Sequence, residues 1–230
     1  MCGRYRSRAE KQQIAEEYYA RFADAVYFRA SYNIAPQTFQ PVIRLAKDTG
    51  EREVVLMRWG LVPYWSKNGS VSFSTINARA ETVATNAAFR EPFKYRRCLV
   101  PADGFYEWQK IDAKTKQPYA ITLKDECLFA FAGLWDCWVN KETGKMLETY
   151  TIVTTRANEL LNPDGGPKLH DRMPVILAPK DYDRWLAPGN PSHLTVDLLR
   201  PYPAEEMKAW KIGPAVGSAK NDSPDLCKPV

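Results

Sequence analysis

Cys2 stands directly after the initiator methionine, and that position gives it a chemistry no other residue of the chain shares. A small residue at this place generally permits removal of the methionine, so we expect the mature chain to begin with Cys2. Cys2 would then carry an α-amine and a thiol. Because an α-amine has a reference pKa of roughly 7.7–8.0, a useful fraction is neutral and nucleophilic near pH 7. Such an amine condenses with an aldehyde to an imine, and the thiol can close on the imine carbon to give a thiazolidine. The alternative is a frayed chain end without a role.

Few residues can serve such chemistry as acids or bases. The chain has two histidines, of which His170 lies in a polar cluster before an apolar run, whereas His193 has the surroundings of a loop residue. Glu107 stands between Tyr106 and Trp108. A carboxyl group beside bulky apolar side chains tends to have a raised pKa, which suits proton transfer near neutrality. The alternatives are a structural histidine and a solvent-facing glutamate on a strand.

Two further segments could bind a polymer substrate. In Thr75-Ile-Asn-Ala-Arg-Ala-Glu81, the polar residues Asn77, Arg79 and Glu81 share one face if the segment is extended. This pattern fits a sheet edge over a polar cleft, and equally a solvated face. Trp65 is a candidate platform for stacking on a nucleic-acid base if it is exposed, although most tryptophans are core residues.

The other four cysteines suggest no metal or disulfide chemistry. The five cysteines form neither a CxxC pair nor a zinc-like spacing with histidine, so we expect no metal, no cofactor and no disulfide framework. Cys98, Cys127 and Cys137 lie in apolar stretches and are predicted to be small buried residues.

The elements that must position these residues are mostly strands. Residues 9–22 have helical spacing of apolar residues, with Ser7 as a candidate N-cap, and residues 40–45 and 53–59 predict a β-hairpin. Further strands are predicted at 98–100, 119–123, 128–134 and 149–154, and further helices at 82–89, 155–161 and 180–185. Because strands and helices do not alternate regularly, we predict a single α+β domain with an antiparallel β-rich core, a partly closed barrel, and short flanking helices.

The composition is that of an ordinary folded domain. Of the 230 residues, 45% are hydrophobic, and 32 lysines and arginines against 27 acidic residues give a net charge of +5. This balance permits a nucleic-acid partner without requiring one. The N-terminus lacks the apolar core of a signal peptide, and no apolar run is long enough to span a membrane. We therefore expect a cytoplasmic protein with no membrane partner.

Six motifs in order along the chain resemble the SRAP (SOS response-associated peptidase) family. They are Met1-Cys-Gly-Arg4, Tyr32-Asn-Ile-Ala-Pro36, Arg58-Trp-Gly-Leu-Val-Pro63, Ile76-Asn-Ala-Arg-Ala-Glu81, Asp103-Gly-Phe-Tyr-Glu-Trp108 and His170-Asp-Arg-Met-Pro174. The resemblance implies an SRAP domain over residues 2–220 and a C-terminal tail at 221–230. It also implies a monomer that binds single-stranded DNA, in a bacterium at the nucleoid, and cross-links itself covalently to abasic sites.

The resemblance also implies a role for each site residue. Cys2 would be the nucleophile that forms the thiazolidine, Asn77 would orient it, Glu107 would carry protons to and from the amine and the imine, and His170 would protonate the sugar ring oxygen. A second set of residues would bind DNA: Arg79 and Arg172 as a phosphate-holding pair, Trp65 by stacking, and Arg4, Asn33, Pro36 and Lys220 along the cleft.

Two other functions use the same residues. A thiol peptidase that releases Met1 would use Cys2 as nucleophile, with His170 and Glu107 as base and orienting residue. A non-catalytic module that binds modified bases in DNA would not need Cys2. Replacement of Cys2 by alanine separates these functions, because it would abolish cross-linking and leave such binding intact.

Overall fold

The computed structural model describes residues 2–23, 26–70, 73–164, 168–187, 189 and 195–230, and the side chain of Phe73 is outside this set. Within these ranges the strands are Tyr5–Ser7 (β1), Arg21–Phe22 (β2), Ser31–Ile34 (β3), Phe39–Leu45 (β4), Arg52–Trp59 (β5), Asn77–Arg79 (β6), Arg97–Ala102 (β7), Gly104–Lys110 (β8), Lys116–Leu123 (β9), Phe129–Val139 (β10), Met146–Arg156 (β11), Arg172–Pro174 (β12), Ile176–Leu177 (β13) and Met207–Lys211 (β14). The α-helices are Lys11–Glu17 (α1), Arg90–Tyr95 (α2) and Tyr182–Leu186 (α3). Single-turn 3-10 helices lie at Phe73–Thr75, Pro179–Asp181, Val196–Leu198, Ala204–Glu206, Pro214–Gly217 and Pro224–Cys227.

Five strands close into a barrel. Antiparallel pairing joins β11 to β10, β10 to β7, β7 to β4 and β4 to β5, and a short parallel pairing of β5 with β11 completes the ring. Alternate residues of each strand point inward, so the interior fills with large apolar side chains. Trp59 stacks on Tyr150 and meets Tyr5 edge to face, and Tyr5 also meets Phe131.

A second sheet carries the N-terminal strand across one end of this barrel. Its strands run in the order β14, β9, β8, β1, β3, and β1 lies between β8 and β3 with Tyr5 opposite Phe105 and Ile34. The Tyr5 side chain reaches the barrel interior, where its hydroxyl group lies 2.8 Å from that of Tyr150. This packing fixes where the chain segment before β1 must lie.

The fold class expected from the sequence is confirmed: a β-rich α+β domain built around a barrel, with a few short helices. The predicted hairpin at 40–45 and 53–59 forms as β4 and β5, and the strands predicted at 98–100, 119–123, 128–134 and 149–154 form as β7, β9, β10 and β11. The helix predicted at 180–185 also forms, as α3 with the 3-10 turn that precedes it.

Three of the predicted helical features are wrong. Helix α1 covers only Lys11–Glu17, is capped by Glu10 rather than Ser7, and ends where Tyr19 adopts a positive φ of 47°, so that Arg21–Phe22 can pair with β5. Residues 82–89 form turns, and the helix follows them at Arg90–Tyr95. Residues 155–161 begin as the end of β11, because the ladder with β12 extends to Arg156.

The segment 221–230 packs on the second sheet. Asp222 accepts a hydrogen bond from the backbone N–H of Tyr32 at 2.6 Å, and the Cys227 carbonyl accepts one from the indole of Trp210 at 2.8 Å. The boundary at residue 220 between domain and tail stays a prediction. Among the described residues, no helix is both long and apolar enough to cross a membrane.

Candidate active site at the N-terminal strand

The segment before β1 is held along β8 by backbone hydrogen bonds. The Tyr106 amide donates to the Arg4 carbonyl at 3.0 Å, which extends the β1–β8 ladder by one step toward the N-terminus. Glu107 is the next residue of β8, so the antiparallel geometry brings Cys2 and Glu107 to the same place. The site is therefore built on strands rather than on a loose terminus.

Cys2 is fully buried and belongs to the barrel's core cluster, together with Tyr5, Ile34 and Ile152. Its thiol donates to the Arg4 carbonyl at 3.7 Å. Burial and the nearby Glu107 carboxylate raise the pKa of the Cys2 thiol far above its usual range. The thiol is therefore held neutral in this environment, and a frayed chain end is the wrong description of Cys2.

Asn77 fixes the backbone of Cys2. It is buried at the start of β6, which pairs with β11 at Ile152, and its amide donates to the Cys2 carbonyl at 2.8 Å. Its carbonyl oxygen Oδ1 is also buried and has no hydrogen-bond donor within the described part of the chain. An acceptor left open beside Cys2 is suited to receive an N–H or O–H group that arrives with a substrate.

Glu107 supplies a carboxyl group that titrates near neutrality. It is buried on β8, on the opposite side of the strand from Tyr106, whose ring packs in a separate cluster with Ala120 and Ile212. Burial raises the pKa of Glu107 from 4.5 to about 7, because the carboxylate is poorly solvated there. The expected perturbation of Glu107 is thus present, and its cause is enclosure by the fold.

His170 lies half-buried on the loop that enters β12. Its Nδ1 accepts the backbone N–H of Arg172 at 2.9 Å and lies 2.8 Å from a carboxylate oxygen of Asp171. A neutral imidazole that accepts at Nδ1 carries its proton on Nε2. Burial lowers the pKa of His170, so the neutral form dominates at pH 7. His170 joins the cluster through Asp171, whose charge acts on Glu107. His193 lies outside the described residues.

Arg79 and Arg172 flank strand β11 near Thr154. Arg79 is exposed on β6 opposite Thr154, and Arg172 on β12 donates to the Thr154 carbonyl at 2.6 Å. Arg172 also forms a two-pronged ion pair with Glu81, with both bonds at 2.9 Å. Asn77 and Arg79 lie on one strand, but Glu81 does not continue their shared face as expected. Strand β6 ends at Arg79, and Glu81 lies in the following turn.

Trp65 is exposed, as a stacking platform must be: 56% of its surface is accessible, and its neighbour Tyr64 is 59% exposed. Pro36 lies half-buried in the turn after β3, beside Gln37, whose amide donates to the Trp59 carbonyl at 2.8 Å. Both residues are therefore near the rim of the barrel rather than in its core.

Arg4 and Asn33 make contacts that the sequence did not indicate. Arg4 donates to the side chain of Asn33 at 2.8 Å and to the carbonyls of Val216 and Gly217. Asn33 is buried, and its amide lies 2.9 Å from the Ser218 carbonyl and 2.8 Å from the Asn221 carbonyl. The pair thus fastens the segment that carries the exposed Lys220 to the N-terminal strand.

Asp103 is a site-forming residue that the sequence reading missed. It is buried at the end of β7, lies 2.7 Å from Arg6 Nε, and accepts from both the backbone and the guanidinium of Arg8. The available signal was the pair Arg6 and Arg8, two positions apart at the end of β1, since alternate residues of an extended segment share a face. The next residue is Gly104, and a larger side chain would not fit there, because its Cβ would lie 2.6 Å from Arg6 Nε. This cluster holds β1, and therefore Cys2, in place.

The remaining cysteines differ in burial. Cys98 is buried inside the barrel as expected and Cys137 is half-buried, but Cys127 is exposed, because it lies in the turn between β9 and β10. Across the described ranges, no three His, Cys, Asp or Glu side chains are grouped so that they could hold a metal ion.

The chain matches a known class of domain, the SOS response associated peptidases, whose family model covers residues 1–219. The chain belongs to this SRAP family. It is 42% identical over 229 residues to the abasic site processing protein YoqW of Bacillus subtilis, with 98% of each chain covered. It is 35% identical to the abasic site processing protein HMCES of Gallus gallus, over 88% of this chain and 67% of that one. A crystal structure of a Bacteroides thetaiotaomicron protein superposes with a TM-score of 0.87 at 30% identity, over all of both chains.

Proposed function

We propose that this protein processes abasic sites in single-stranded DNA by forming a covalent thiazolidine link between Cys2 and the ring-opened sugar. The observation that carries the proposal is the buried cluster of Cys2, Asn77 and Glu107, in which the Cys2 backbone is fixed and a carboxyl group of pKa about 7 lies beside it. The names of the relatives support the substrate class. The protein acts as a monomer, in the cytoplasm and on the DNA of the nucleoid in a bacterium.

The reaction begins once Met1 has been removed. The neutral α-amine of Cys2 attacks the C1′ aldehyde of the open sugar, and a C–N bond forms while the carbonyl oxygen takes up a proton. Glu107, protonated below its pKa, gives a proton to the departing hydroxyl group, so that water leaves, and the resulting Glu107 carboxylate takes back the proton on nitrogen, so that a neutral imine remains. The thiol then adds across the C=N bond: sulfur bonds to carbon and its proton goes to nitrogen. The sum is loss of one water molecule.

The neutral residues around Cys2 suit this order of steps. An imine forms from a neutral amine, and the final ring closure delivers both sulfur and proton, so the thiol need not be ionised beforehand. His170, with its proton on Nε2, would protonate the sugar ring oxygen and favour the open aldehyde. Because Glu107 acts here as an acid while the amine must be neutral, the rate of imine formation should rise with pH up to about 7, level off there, and fall above the amine pKa of roughly 8.

The thiol peptidase is the weaker alternative. A cysteine peptidase needs a thiolate, activated by a neighbouring histidine or another positive group. Burial and Glu107 act in the opposite direction on Cys2, because they raise the pKa of its thiol. The thiol's hydrogen bond goes to the Arg4 carbonyl, which is no base.

DNA would reach this cluster across the rim of the barrel. Arg79 and Arg172 would hold phosphates on either side of β11, with guanidinium groups that suit two-pronged contacts. Trp65 would stack on a base next to the lesion. Pro36 and the segment with Lys220, fastened by Arg4 and Asn33, would line the cleft.

The first experiment is adduct formation with single-stranded DNA that carries one abasic site, followed by denaturing gels and intact-mass spectrometry. We expect a heat-stable adduct with the wild type, on a chain that lacks Met1 and with a mass lower by one water than the sum of the reactants. Cys2→Ala should form none. Cys127→Ala is the matched control, because Cys127 is exposed and away from the cluster, and it should behave as the wild type.

Two results would contradict the proposal. If the wild type forms no adduct despite a free Cys2 amine, cross-linking is not its function and the peptidase becomes the function to test. If Cys2→Ala binds DNA with abasic sites as the wild type does and neither forms an adduct, the protein is a binding module.

A further inference from the structure

A basic groove with aromatic walls includes Tyr64, the residue that precedes Trp65 in the sequence. Its volume is about 890 Å³, and its walls come from the loop after β5, from α2 and from the ends of β4 and β10. Five arginine or lysine residues line it, against two acidic ones. None of these residues belongs to the cluster around Cys2, so the groove needs an explanation of its own.

Most of its charged residues are already paired within the protein. Arg44 binds Glu53 and Glu148, and Arg97 is held by the backbone carbonyls of Phe93, Lys94, Trp185 and Ala187. The Arg96 guanidinium lies 3.2 Å from the buried carboxylate of Asp136. Arg44 and Arg96 are thus paired with carboxylates, and the N–H donors of Arg97 are occupied by backbone carbonyls, so these three residues have few donors left for a ligand.

Two exposed cations remain without an acidic partner. Lys47 and Arg90 are both exposed, and neither lies within 4.0 Å of a carboxylate in the described part of the chain. Glu91, the other acidic residue of the lining, is already close to Lys94, at 3.7 Å. The groove therefore presents net positive charge to solvent.

Two exposed tyrosines accompany these cations. Tyr64 and Tyr95 are each 59% exposed, and both line the groove. Tyr64 is held in place because its backbone N–H donates to Asp136 at 3.0 Å. Exposed aromatic rings among unpaired cations are the combination that binds single-stranded nucleic acid, because rings stack on bases while cations bind the phosphates.

We propose that this groove binds the single-stranded DNA that continues beyond the nucleotide stacked on Trp65. Tyr64 and Trp65 are consecutive residues and Tyr64 lines the groove, so the groove lies within one residue of the proposed stacking platform. Lys47 and Arg90 contact its phosphates, and Tyr64 and Tyr95 stack on its bases. The groove thereby extends the DNA site on one side of the lesion only, and this inference rests on the proposed function.

The test is equilibrium binding by fluorescence anisotropy, with oligonucleotides that carry a tetrahydrofuran abasic analogue, which has no aldehyde and cannot be cross-linked. One oligonucleotide is short, about 7 nucleotides, and two are extended to about 20 nucleotides, one on each side of the lesion. We expect the wild type to bind one extended oligonucleotide about tenfold more tightly than the short one, and the other no better.

Variants of the groove should lose only this gain. The double variant Lys47→Glu/Arg90→Glu should bind the favoured long oligonucleotide as weakly as the short one, with a salt dependence lower by about 1.4 in log–log slope for two lost phosphate contacts. Tyr95→Ala should lose about tenfold on the same oligonucleotide. The matched control is Lys114→Glu/Lys116→Glu on the β8–β9 hairpin, which should retain the full gain.

Several outcomes would overturn the inference, and they differ from failure of the proposed function. If the wild type binds short and extended oligonucleotides equally while it still cross-links an abasic site, only the groove assignment is wrong. If the double variant and its control lose affinity equally, the effect is general charge. If the double variant loses binding to poly-glutamate but not to DNA, the groove is a protein-binding surface. A wild type that neither binds nor cross-links the short lesion contradicts the proposed function itself.

Discussion

The polar groups at the two ends of the barrel differ in how completely they are paired. At one end, Arg44 closes the interior with two carboxylates, Glu53 at 2.8 Å and Glu148 at 2.5 Å, and its guanidinium lies 4.6 Å from the ring centroid of Trp135. At the other end, Asn77 keeps a buried oxygen without a donor within the described residues, and Glu107 is buried at a cost that appears as a raised pKa.

The fully paired end stabilises the fold, and the incompletely paired end is the candidate site. Burial alone would lower the pKa of Arg44, but its hydrogen bonds to Glu148 and Glu53 raise it, so the charged form is stable and inert. Around Cys2 the pairing is less complete: Asn77 Oδ1 lacks a donor among the described residues, and burial raises the pKa of Glu107. A fold can keep such a mismatched cluster because its other buried charges, including Asp103 with Arg6 and Arg8, are matched.

Removal of Arg44 should give the largest loss of stability. Arg44→Met leaves the half-buried Glu53 and Glu148 without their shared cation, and we expect the free energy of unfolding to fall by about 1.5–3 kcal/mol. Urea denaturation measures this, and cross-linking per folded molecule should not change with a short oligonucleotide of about 7 nucleotides, which is too short to gain from the proposed groove. Arg184→Met, which breaks the exposed pair with Asp197, is the control and should leave stability almost unchanged. Equal losses in both variants would remove the contrast between the two barrel ends.

Replacement of Glu107 should raise the free energy of unfolding at neutral and higher pH, whereas replacement of Arg44 lowers it. Because the pKa of Glu107 is raised from 4.5 to about 7, its contribution to stability is present below pH 4.5 and is lost as the pH rises through 7. Glu107→Gln cannot ionise, so relative to the wild type it should gain up to about 3 kcal/mol in free energy of unfolding between pH 4 and pH 8. Denaturation of both proteins at these two pH values measures the difference. Parallel pH profiles would show that Glu107 is not strained by burial.

Asn77→Ala should separate positioning from stability. It removes the hydrogen bond to the Cys2 carbonyl, so we expect cross-linking to slow by about 10–100-fold because Cys2 is no longer held in a reactive position. The free energy of unfolding should fall by only about 1 kcal/mol, the net contribution of one such bond. Single-turnover adduct formation and urea denaturation measure the two effects. A loss of activity explained wholly by unfolding would make Asn77 structural, like Arg44.

The smallest effect is expected at Glu81, whose carboxylate is fully paired but whose partner, Arg172, is proposed to bind DNA. The hydrogen bonds from Arg172 hold the pKa of Glu81 below its usual range, and the carboxylate in turn neutralises a guanidinium proposed to bind phosphate. Glu81→Gln should steepen the log–log salt dependence of single-stranded DNA binding by about 0.7, as one more cation becomes available. Stability should change by less than about 1 kcal/mol, because the pair is exposed. An unchanged salt dependence would mean that Arg172 does not contact phosphate.

The sequence by itself determined the fold class, the family and the residue types of the candidate site. Alternation of apolar residues predicts β4, β5, β7 and β9–β11, because the period of two that buries one face of a strand is written locally in the chain. The helix at residues 9–22 was overpredicted for the complementary reason: local spacing could not show that Arg21–Phe22 would pair with β5.

Only the tertiary structure decided what surrounds each of these residues. Cys2 is buried rather than frayed because β1 is locked between β8 and β3 and tied by Asp103, a residue about one hundred positions away. Arg4 and Asn33 bind the segment around residue 217 for the same reason, and Glu107 has a raised pKa because strands distant in sequence enclose it. Burial and electrostatic environment are sums over neighbours brought together by long-range pairing, and a local pattern of residues carries no record of them.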